Sequence, residues 1–566
     1  MMEKKNVSIV WGVKIPMRDG IQLNATLYLP KDQQETLPVI FTLTPYISDT
    51  YHERGYHFAQ QGYVFALVDC RGRGNSEGEF FPLKDEDQDG HDVVEWLAEQ
   101  SYCDGQVTMW GGSYAGYNQW ATVKEFPPHL KTIVPVASAF PGIDFPFAHN
   151  VFYSYEMRWM TFTSGVTPNN NLFAEHSYWA EKFYEMYVEH RPFQELDQIV
   201  GNLSTKFQDI IEHAKNEPFY DQMVPTDEQF SEIELPILSI TGHYDGDQPG
   251  AMQFYKKHMG LGSEAAKEKH YLIIGPWDHP GTRTPRKEVG GLTFGDASLL
   301  DMNKLHKEWY DWTMKSGEKP AFLEKHVACY VVGSEKWRYA DTLEGLTAER
   351  RKLFLGSGAA GANDVFQSGW MTTELDSDNL TDEYIYDPLD TRFGELELEE
   401  KEAYVLDQTR VLNLFGNGLV YHSQPFEDDT EITGFPKFSA WISINVPDTD
   451  FRVTLFEILP DGSSIELSEA VIRARYRQSL REETLIQSGE ILEYTFDNFM
   501  FFSRMITKGS RLRLLIQAPN SIWWQKNYNS AGDVMKETAK DAHKATITLH
   551  HSEQYPTCLE IPIGGE

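Results

Sequence analysis

The stretch VTMWGGSYAGYNQW, residues 107–120, places one serine, Ser113, between a glycine pair and a group of small residues. An apolar run precedes it, and the residues after it are typical of a helix. A sharp strand-to-helix turn exposes a serine hydroxyl at the carboxyl end of a parallel sheet, where it can act as a nucleophile. The pattern is G-x-S-x-A-G and not strict G-x-S-x-G, and Ser113 could instead cap the following helix.

A serine nucleophile needs a histidine base that is oriented by a carboxylate. Two later segments follow predicted strands and offer these groups: SITGHYDGDQPG contains Asp245, and YLIIGPWDHPGT contains His279. The chain order Ser113, Asp245, His279 is known from hydrolases built on a parallel sheet. Because each residue follows the carboxyl end of a predicted strand, we expect the three to converge on one edge of the sheet.

Three neighbouring residues compete for these roles. His243 and Asp247 lie in the first segment, and Asp278 precedes His279 in the second. We interpret His243 as an ordinary loop histidine, and we expect Asp278 to point away from its sequence neighbour.

Acyl transfer also requires hydrogen-bond donors for the oxyanion that develops on the substrate. The backbone N–H of Tyr114, next after the candidate nucleophile, is the expected first donor. The stretch LTPYISD ends another predicted strand, and there the Tyr46 hydroxyl could serve as a second donor. Judged from the residues alone, Tyr46 could as readily be a packed aromatic side chain.

The elements that must position these groups fall into three patterns. Apolar runs alternate with helix-like stretches from about residue 37 to 138, which predicts βαβ units and a mostly parallel sheet. Aromatic-rich helices then predict an inserted cap, after which the strands resume. Short alternating runs with frequent turns predict an antiparallel sandwich at the C-terminal end. The predicted division is a core at 1–140 and 234–345, a helical cap at 141–233 and a β-domain at 346–566.

The composition disfavours several classes of protein. Acidic residues outnumber basic ones by 85 to 50, and the net charge of −35 disfavours nucleic acid and membrane partners. No signal-like N-terminus and no run of about 18 apolar residues is present, so we expect a cytoplasmic protein. The four cysteines form no CxxC pair, the histidines form no HExxH, and DCRGRGNSEG lacks the dinucleotide spacing. We expect neither a metal nor a cofactor.

Five motifs in order, TPY, DCRGRGNSEG, WGGSYAGYNQW, GHYDGD and GPWDH, resemble the cocaine esterase (CocE/NonD) family, which is related to Xaa-Pro dipeptidyl-peptidases and α-amino-acid ester hydrolases. PDTDFRVTLFEILPDGSS and LSEAVIRARYR resemble its C-terminal domain. The resemblance implies an α/β-hydrolase core with an inserted helical cap and a C-terminal all-β jelly-roll domain. It also implies Ser113 as nucleophile, Asp245 as orienting acid and His279 as base, with an oxyanion hole formed by Tyr46 and the Tyr114 amide.

The leading hypothesis is therefore a serine esterase or amidase that cleaves small-molecule ester or amide substrates. The aromatic cap and Trp277 predict a hydrophobic acyl pocket. The runner-up is an α-amino-acid ester hydrolase, acyltransferase or acyl-peptidase in which Asp247 binds the substrate amino group, although Gln248 stands where the amino-ester hydrolases have a second acid. The alternative from another class is a catalytically silent carbohydrate-binding protein. A homo-oligomer is compatible with the sequence.

Overall fold

The computed structural model describes residues 7–31, 33–47, 51–375 and 380–565. Its core is a mostly parallel sheet formed by two six-stranded sheets that run into each other, because Cys103–Met109 continues into Gly111–Gly112 and Leu130–Thr132 continues into Pro135–Val136. In spatial order the strands of the first sheet are Val7–Pro16, Gln22–Pro30, Val64–Asp69, Leu37–Thr44, Cys103–Met109 and Leu130–Thr132. Those of the second are Gly111–Gly112, Pro135–Val136, Ile237–Tyr244, His270–Asp278, Val327–Val331 and Lys336–Ala340.

Helices cover both faces of this sheet, which is why its central strands are apolar at nearly every position. Val64–Asp69 and His270–Asp278 are buried throughout. Along one strand, Val39 and Phe41 belong to the hydrophobic core on one face, whereas Ile40 belongs to the core on the other. The helices of this domain are His52–Gln60, Glu86–Ala98, Tyr114–Val123, Gln248–Leu261, Glu264–Lys267 and Met302–Met314. A short hairpin joins Glu288–Val289 to Leu292–Thr293.

A mainly helical insertion separates the two parts of the core. It opens with a small hairpin of Phe147–Ala148 and Val151–Phe152. Its helices are Tyr155–Phe162, Asn170–Ala174, His176–Glu189, Leu196–Ile199, Thr205–Glu212, Pro218–Asp221 and Asp227–Glu232. The insertion lies where the sequence predicts the cap, and we call it the cap below.

The described residues of the C-terminal part form an all-β domain with one short α-helix, Gln408–Val411. Alternate residues of Lys437–Ile444 are buried, as expected for strands with one face on a core. Its strands pair antiparallel except Gly369–Thr372 with Gly418–Ser423. Within the described residues the strands are Thr347–Gly356, Gly369–Thr372, Leu380–Tyr386, Gly418–Ser423, Thr430–Gly434, Lys437–Ile444, Asp450–Ile458, Ser464–Arg473, Leu492–Phe496, Phe502–Ile506, Arg511–Gln517, Ala545–His551 and Cys558–Gly564. The jelly-roll description and the predicted domain boundaries stay predictions.

Buried hydrogen bonds hold the β-domain against both other parts. The side-chain amide of Gln248 donates to the carbonyl of Phe501 at 2.9 Å and accepts from its N–H at 2.7 Å. The buried Arg473, paired with Asp450, also donates to the carbonyl of Asn150 in the cap at 2.8 Å. Three parts of the chain therefore meet at fixed positions. No helix in the described ranges is long and apolar enough to cross a membrane.

Gly116 is tightly packed, and the effect of this packing on stability can be measured. A Cβ at this position would lie 2.4 Å from the carbonyl oxygen of Val136, whereas a Cβ at Gly260 would meet no atom within 4 Å. We expect Gly116→Ala to lower the free energy of unfolding by about 1–3 kcal/mol. The control Gly260→Ala, in the helix Gln248–Leu261, should instead raise it by up to about 1 kcal/mol. Thermal and denaturant unfolding measure both, and a neutral Gly116→Ala would contradict the packing argument.

Candidate functional site

Ser113 forms a sharp turn between the strand Gly111–Gly112 and the helix Tyr114–Val123. Its backbone has φ +62° and ψ −128°, a left-handed conformation that non-glycine residues rarely adopt and that is typical of strained functional turns. Its N–H donates to the carbonyl of Val136 at 3.0 Å, and its carbonyl accepts from Gly116 at 2.8 Å. The side chain does not cap the helix. The structure therefore argues against the capping interpretation and leaves the hydroxyl available to the cavity beside it.

The small residues around Ser113 are required by crowding. A Cβ on Gly111 would lie 2.5 Å from the Cβ of Ala115, and one on Gly112 would lie 2.4 Å from a guanidinium nitrogen of Arg283. These distances are shorter than any normal carbon contact, so larger side chains would displace the turn. The predicted steric demand of the GGSYAG segment thus has a direct structural cause.

Asp245 and His279 meet beside this turn, each just beyond the end of a core strand. The Nδ1–H of His279 donates to Oδ1 of Asp245 at 2.7 Å. Asp245 is fully buried, and its carboxylate also accepts from the Thr241 hydroxyl and the Asp247 amide, both at 3.1 Å. These bonds fix the carboxylate, which in turn orients the imidazole and leaves its Nε2 for other chemistry.

Opposing charges adjust the basicity of His279. Burial lowers the pKa of His279, but the nearby carboxylates of Asp247 and Asp245 outweigh burial, and the net shift is upward. Oδ2 of Asp247 lies 3.7 Å from Nδ1 of His279. Burial raises the pKa of Asp247 to about 6, against the opposing charge of His279. The positive charge of Arg283 lowers the pKa of both His279 and Asp247.

The Tyr46 hydroxyl lies within reach of Ser113. It accepts a hydrogen bond from the indole N–H of Trp159 at 3.0 Å and is a hydrogen-bond partner of the Ser113 side chain. Burial raises the pKa of Tyr46, so the phenol stays protonated and able to donate. The fully buried Arg73 donates to the carbonyls of Pro45 and Thr163, both at 2.8 Å, and so ties the residue before Tyr46 to the cap.

Tyr114 offers its backbone N–H at the same place. As the first residue of its helix it has no intrahelical acceptor for this group. Its ring stacks on Trp159 with centroids 5.7 Å apart, and its hydroxyl donates to Glu86 and accepts from the N–H of Leu83. The side chain is therefore held on both sides, which fixes the adjacent main chain.

These groups open onto one cavity of about 480 Å³. Ser113, His279 and Asp247 line it together with Tyr46 and Tyr114. Its other lining residues are Leu83, Tyr117, Ala139, Asp144, Phe145, Ala148, Tyr153, Tyr155, Glu156, Trp159, Gly246, Pro249, Glu469, Ala470, Val471, Asn498, Met500 and Trp524. Most of these are apolar or aromatic, and the cap supplies several, in line with the expected aromatic pocket.

The prediction that Trp277 lines the pocket is wrong. Its side chain is fully buried in the core, its indole N–H donates to the carbonyl of Ser298 at 2.9 Å, and it is not among the lining residues. The pairing of the neighbouring strands shifts by one residue, because Gly242 pairs with Gly275 but Tyr244 pairs with Asp278. This bulge interrupts the regular alternation of side chains at the end of the strand. Trp277 and His279 therefore do not lie on the same face of the sheet.

Two of the three competing residues, His243 and Asp278, have partners outside the cavity. His243 lies within the strand Ile237–Tyr244, not in a loop, and its Nε2 contacts the carbonyl of Tyr330 at 2.7 Å. Burial lowers its pKa to about 4. Asp278 forms an ion pair with Arg286 and accepts from the N–H of Gly281. Neither side chain is among those that line the cavity.

Two sources of the site were not predicted from the sequence. Trp159 in the cap holds the Tyr46 hydroxyl, and its position in an aromatic-rich helix was the one available signal. Glu469, Val471 and Trp524 come from the β-domain, more than 350 residues after Ser113. No local pattern links those segments to the cavity. Within the described residues, no group of three or more His, Cys, Asp or Glu is arranged to hold a metal ion.

Comparisons with known proteins cover nearly the whole chain. Residues 19–281 match the model for X-Pro dipeptidyl-peptidase (S15 family), and residues 310–560 match the model for the X-Pro dipeptidyl-peptidase C-terminal non-catalytic domain. The chain is 26% identical to cocaine esterase of Rhodococcus sp. (strain MB1 Bresler) over 588 aligned residues, which is 99% of each protein.

Solved structures share the fold over the same length. An aminopeptidase from the marine sediment archaeon Thaumarchaeota archaeon superposes with a TM-score of 0.83 at 21% identity, over 99% of this chain and 97% of the other. An α-amino acid ester hydrolase superposes with a TM-score of 0.85, at the same identity and coverage. Together with the family matches, they confirm the predicted fold class, an α/β-hydrolase core followed by an all-β domain.

The opposing effects of Asp247 and Arg283 predict shifts of opposite sign at His279. Asp247→Asn removes a negative charge and should lower the pKa of His279, so that the ring stays neutral to lower pH. Arg283→Met removes a positive charge and should raise this pKa. Titration of histidine Cε1–H signals by NMR, assigned with His279→Gln, measures both shifts. Shifts of the same sign would contradict the electrostatic assignment.

Proposed function

This chain is a serine hydrolase of the X-Pro dipeptidyl-peptidase (S15) family and its cocaine-esterase relatives, and we propose that it cleaves ester or amide bonds of small substrates at Ser113. The observation that carries the proposal is the junction of a strained serine turn with the His279–Asp245 hydrogen bond at one cavity. A nucleophile, a base and an orienting carboxylate are the groups that acyl transfer needs.

In the proposed reaction, Nε2 of His279 accepts the hydroxyl proton of Ser113 while the serine oxygen attacks the substrate carbonyl carbon. The carbonyl oxygen becomes an oxyanion, which accepts hydrogen bonds from the Tyr46 hydroxyl and the Tyr114 N–H. The intermediate then collapses, and His279 gives its proton to the leaving alcohol or amine. Water attacks the acyl-serine by the same route, which releases the acid and restores the Ser113 hydroxyl. Asp245 stabilises the imidazolium throughout.

The apolar lining of the cavity supports substrates with a hydrophobic acyl group as the first choice. Aromatic rings of Tyr153, Tyr155 and Trp159 from the cap and of Trp524 from the β-domain line it, and the rings of Tyr153 and Trp524 lie 4.5 Å apart. Such a lining favours neutral aryl or alkyl groups, because burying them releases water from apolar surface without leaving a charge unpaired. The alcohol or amine that leaves is not defined by this argument.

A second candidate, hydrolysis or acyl transfer on α-amino esters, is favoured by a different observation. Asp247 lines the cavity next to His279, and Asp144, Glu156 and Glu469 line it as well. A substrate ammonium group would be attracted to such a surface. A phenylalanine ester and its N-acetylated form separate the two candidates, since the acetylated ester should be the poorer substrate only in this second case.

Two further expectations belong to the same proposal. We expect the substrate to be a small molecule and the protein to be cytoplasmic, and the acidic composition disfavours nucleic acid and membrane partners. Self-association stays a prediction from the sequence.

Labelling with a fluorophosphonate tests the nucleophile directly. Wild-type protein should gain one adduct by intact mass, because an activated serine attacks phosphorus irreversibly. Ser113→Ala should gain none, while the control Ser138→Ala, which removes a neighbouring buried hydroxyl, should be labelled like the wild type. Folded wild-type protein without an adduct would overturn the proposal and favour the carbohydrate-binding alternative.

Tyr46→Phe tests the oxyanion role. Removing one of two donors should lower kcat by roughly 10²-fold or more with little effect on KM, because the lost bond forms with the developing oxyanion. The control Tyr178→Phe removes a cap hydroxyl that donates to the carbonyl of Val200 and should change kcat by less than about twofold. A similar kcat for both variants would show that Tyr46 is a packing residue.

A further inference from the structure

The loop DCRGRGNSEG, residues 69–78, joins the core to the cap beside the proposed oxyanion hole. It begins at the end of the strand Val64–Asp69. Gly74 has φ +55°, and a Cβ there would lie 2.4 Å from a carboxylate oxygen of Asp69, so the loop folds back closely on the strand. The N–H of Gly74 donates to the carbonyl of Val166 in the cap at 2.6 Å. The loop is therefore held between the core and the cap.

Arg73, in this loop, is a fully buried cation without a carboxylate partner. Within the described residues its guanidinium forms no ion pair, and its Nη2 has no hydrogen-bond partner. Two main-chain carbonyls accept from it instead, that of Pro45 from Nε and that of Thr163 from Nη1, both at 2.8 Å. Burying a charge that no opposite charge neutralises is costly. Stability alone therefore does not explain this arginine.

Arg71, two residues earlier in the same loop, has the more usual arrangement. Its guanidinium pairs with Asp89 and with Asp19, each at 2.6 Å. Its side chain is partly exposed, and neither carboxylate lines the Ser113 cavity. One arginine of the loop thus forms ion pairs with side chains, whereas the other bonds only to main chain.

The two carbonyls that Arg73 holds belong to opposite sides of the site. Pro45 directly precedes Tyr46, the proposed oxyanion donor, and Thr163 directly follows the cap helix Tyr155–Phe162. The guanidinium therefore joins the main chain beside Tyr46 to the end of that helix. Because Nε and Nη1 belong to one rigid plane, the distance between the two segments is fixed.

The same cap helix also holds the side chain of Tyr46. The indole N–H of Trp159 donates to the Tyr46 hydroxyl at 3.0 Å. The ring of Phe162 stacks on the ring of Tyr46, with centroids 5.5 Å apart. Hydroxyl, ring and main chain of Tyr46 are thus each referred to one helix, and the main-chain contact passes through Arg73.

We propose that Arg73 is a positioning residue for the Tyr46 oxyanion donor, which it places by bridging the main chain before Tyr46 to the end of the cap helix. The proposal rests on the proposed function, because it takes the Tyr46 hydroxyl as a donor to the oxyanion. Arg73 does not line the cavity, so it acts through Tyr46 and not on the substrate. A displaced donor weakens the bond to the developing oxyanion more than it weakens substrate binding, so the effect belongs to kcat.

Arg73→Met tests this role, because it removes both N–H donors and keeps an unbranched apolar chain. With a 4-nitrophenyl ester of a neutral acid, kcat should fall roughly ten- to a hundredfold while KM changes by less than about threefold. In a Tyr46→Phe background the same substitution should lower kcat by less than about threefold, because the donor that Arg73 positions is already absent.

Arg71→Met is the matched control from the same loop. It leaves the buried Asp89 unpaired, so it should lower the unfolding temperature, yet kcat should stay within about twofold of the wild type. Thermal unfolding of all variants separates a loss of stability from a loss of positioning. If Arg73→Met does not fold, Arg73→Lys takes its place in both backgrounds, since one ammonium does not reproduce the two separate donors of the guanidinium.

A folded Arg73 variant with the kcat of the wild type overturns the positioning role. An equal loss of kcat in the wild-type and Tyr46→Phe backgrounds overturns it too, because a general structural defect would act whether or not the donor is present. Fluorophosphonate labelling distinguishes these results from failure of the proposed function. A labelled Ser113 with additive effects on kcat removes only the role of Arg73, whereas an unlabelled wild type removes the role of Ser113 itself.

Discussion

The crowded turn at Ser113 is the constraint on which the site depends. The left-handed conformation of this residue costs on the order of 1–3 kcal/mol and persists because the surroundings fix it. Its N–H is bonded to the neighbouring strand at Val136, and its carbonyl begins the helix Tyr114–Val123. The same turn directs the serine hydroxyl outward and leaves the next N–H without a helical acceptor. The proposed nucleophile and one proposed oxyanion donor thus follow from one backbone arrangement, with no separate element needed to bring them together.

The proposed orienting acid, Asp245, and the proposed base, His279, depend on a second, electrostatic arrangement. Asp245 is fully buried, and a hydroxyl, an amide and the imidazole N–H all donate to its carboxylate. Asp247 and Arg283 then act on His279 with opposite signs. The basicity of the histidine is therefore set by a balance of charges that surround it, while its orientation is set by a single short hydrogen bond. Asp245 contributes to both, whereas Asp247 and Arg283 act on the basicity through their charges.

The parts of this site that depend on main-chain geometry could be predicted from local sequence. The ends of parallel strands lie along one edge, so Ser113, Asp245 and His279 could be placed together from predicted strands alone, and the predicted helical cap and all-β domain follow from hydrophobic periodicity. Trp277 failed because a one-residue bulge in its strand breaks the alternation on which the argument relied. Glu469, Val471 and Trp524 could not be found, since only the packing of the β-domain on the core and cap brings them to the cavity.

The groups placed by local sequence are those proposed to react, whereas the groups placed by domain packing form walls of the cavity. The proposed reacting groups belong to the core and are fixed by strand ends, a tight turn and buried hydrogen bonds. Many of the cavity walls are side chains of the cap and the β-domain, which are joined to the core by contacts such as Gln248 with Phe501 and Arg73 with Thr163. Side chains on those walls can vary without disturbing the turn. Substitutions at wall residues such as Tyr155 and Trp524 can therefore change the shape of the cavity while the Ser113 turn and the His279–Asp245 pair keep their geometry.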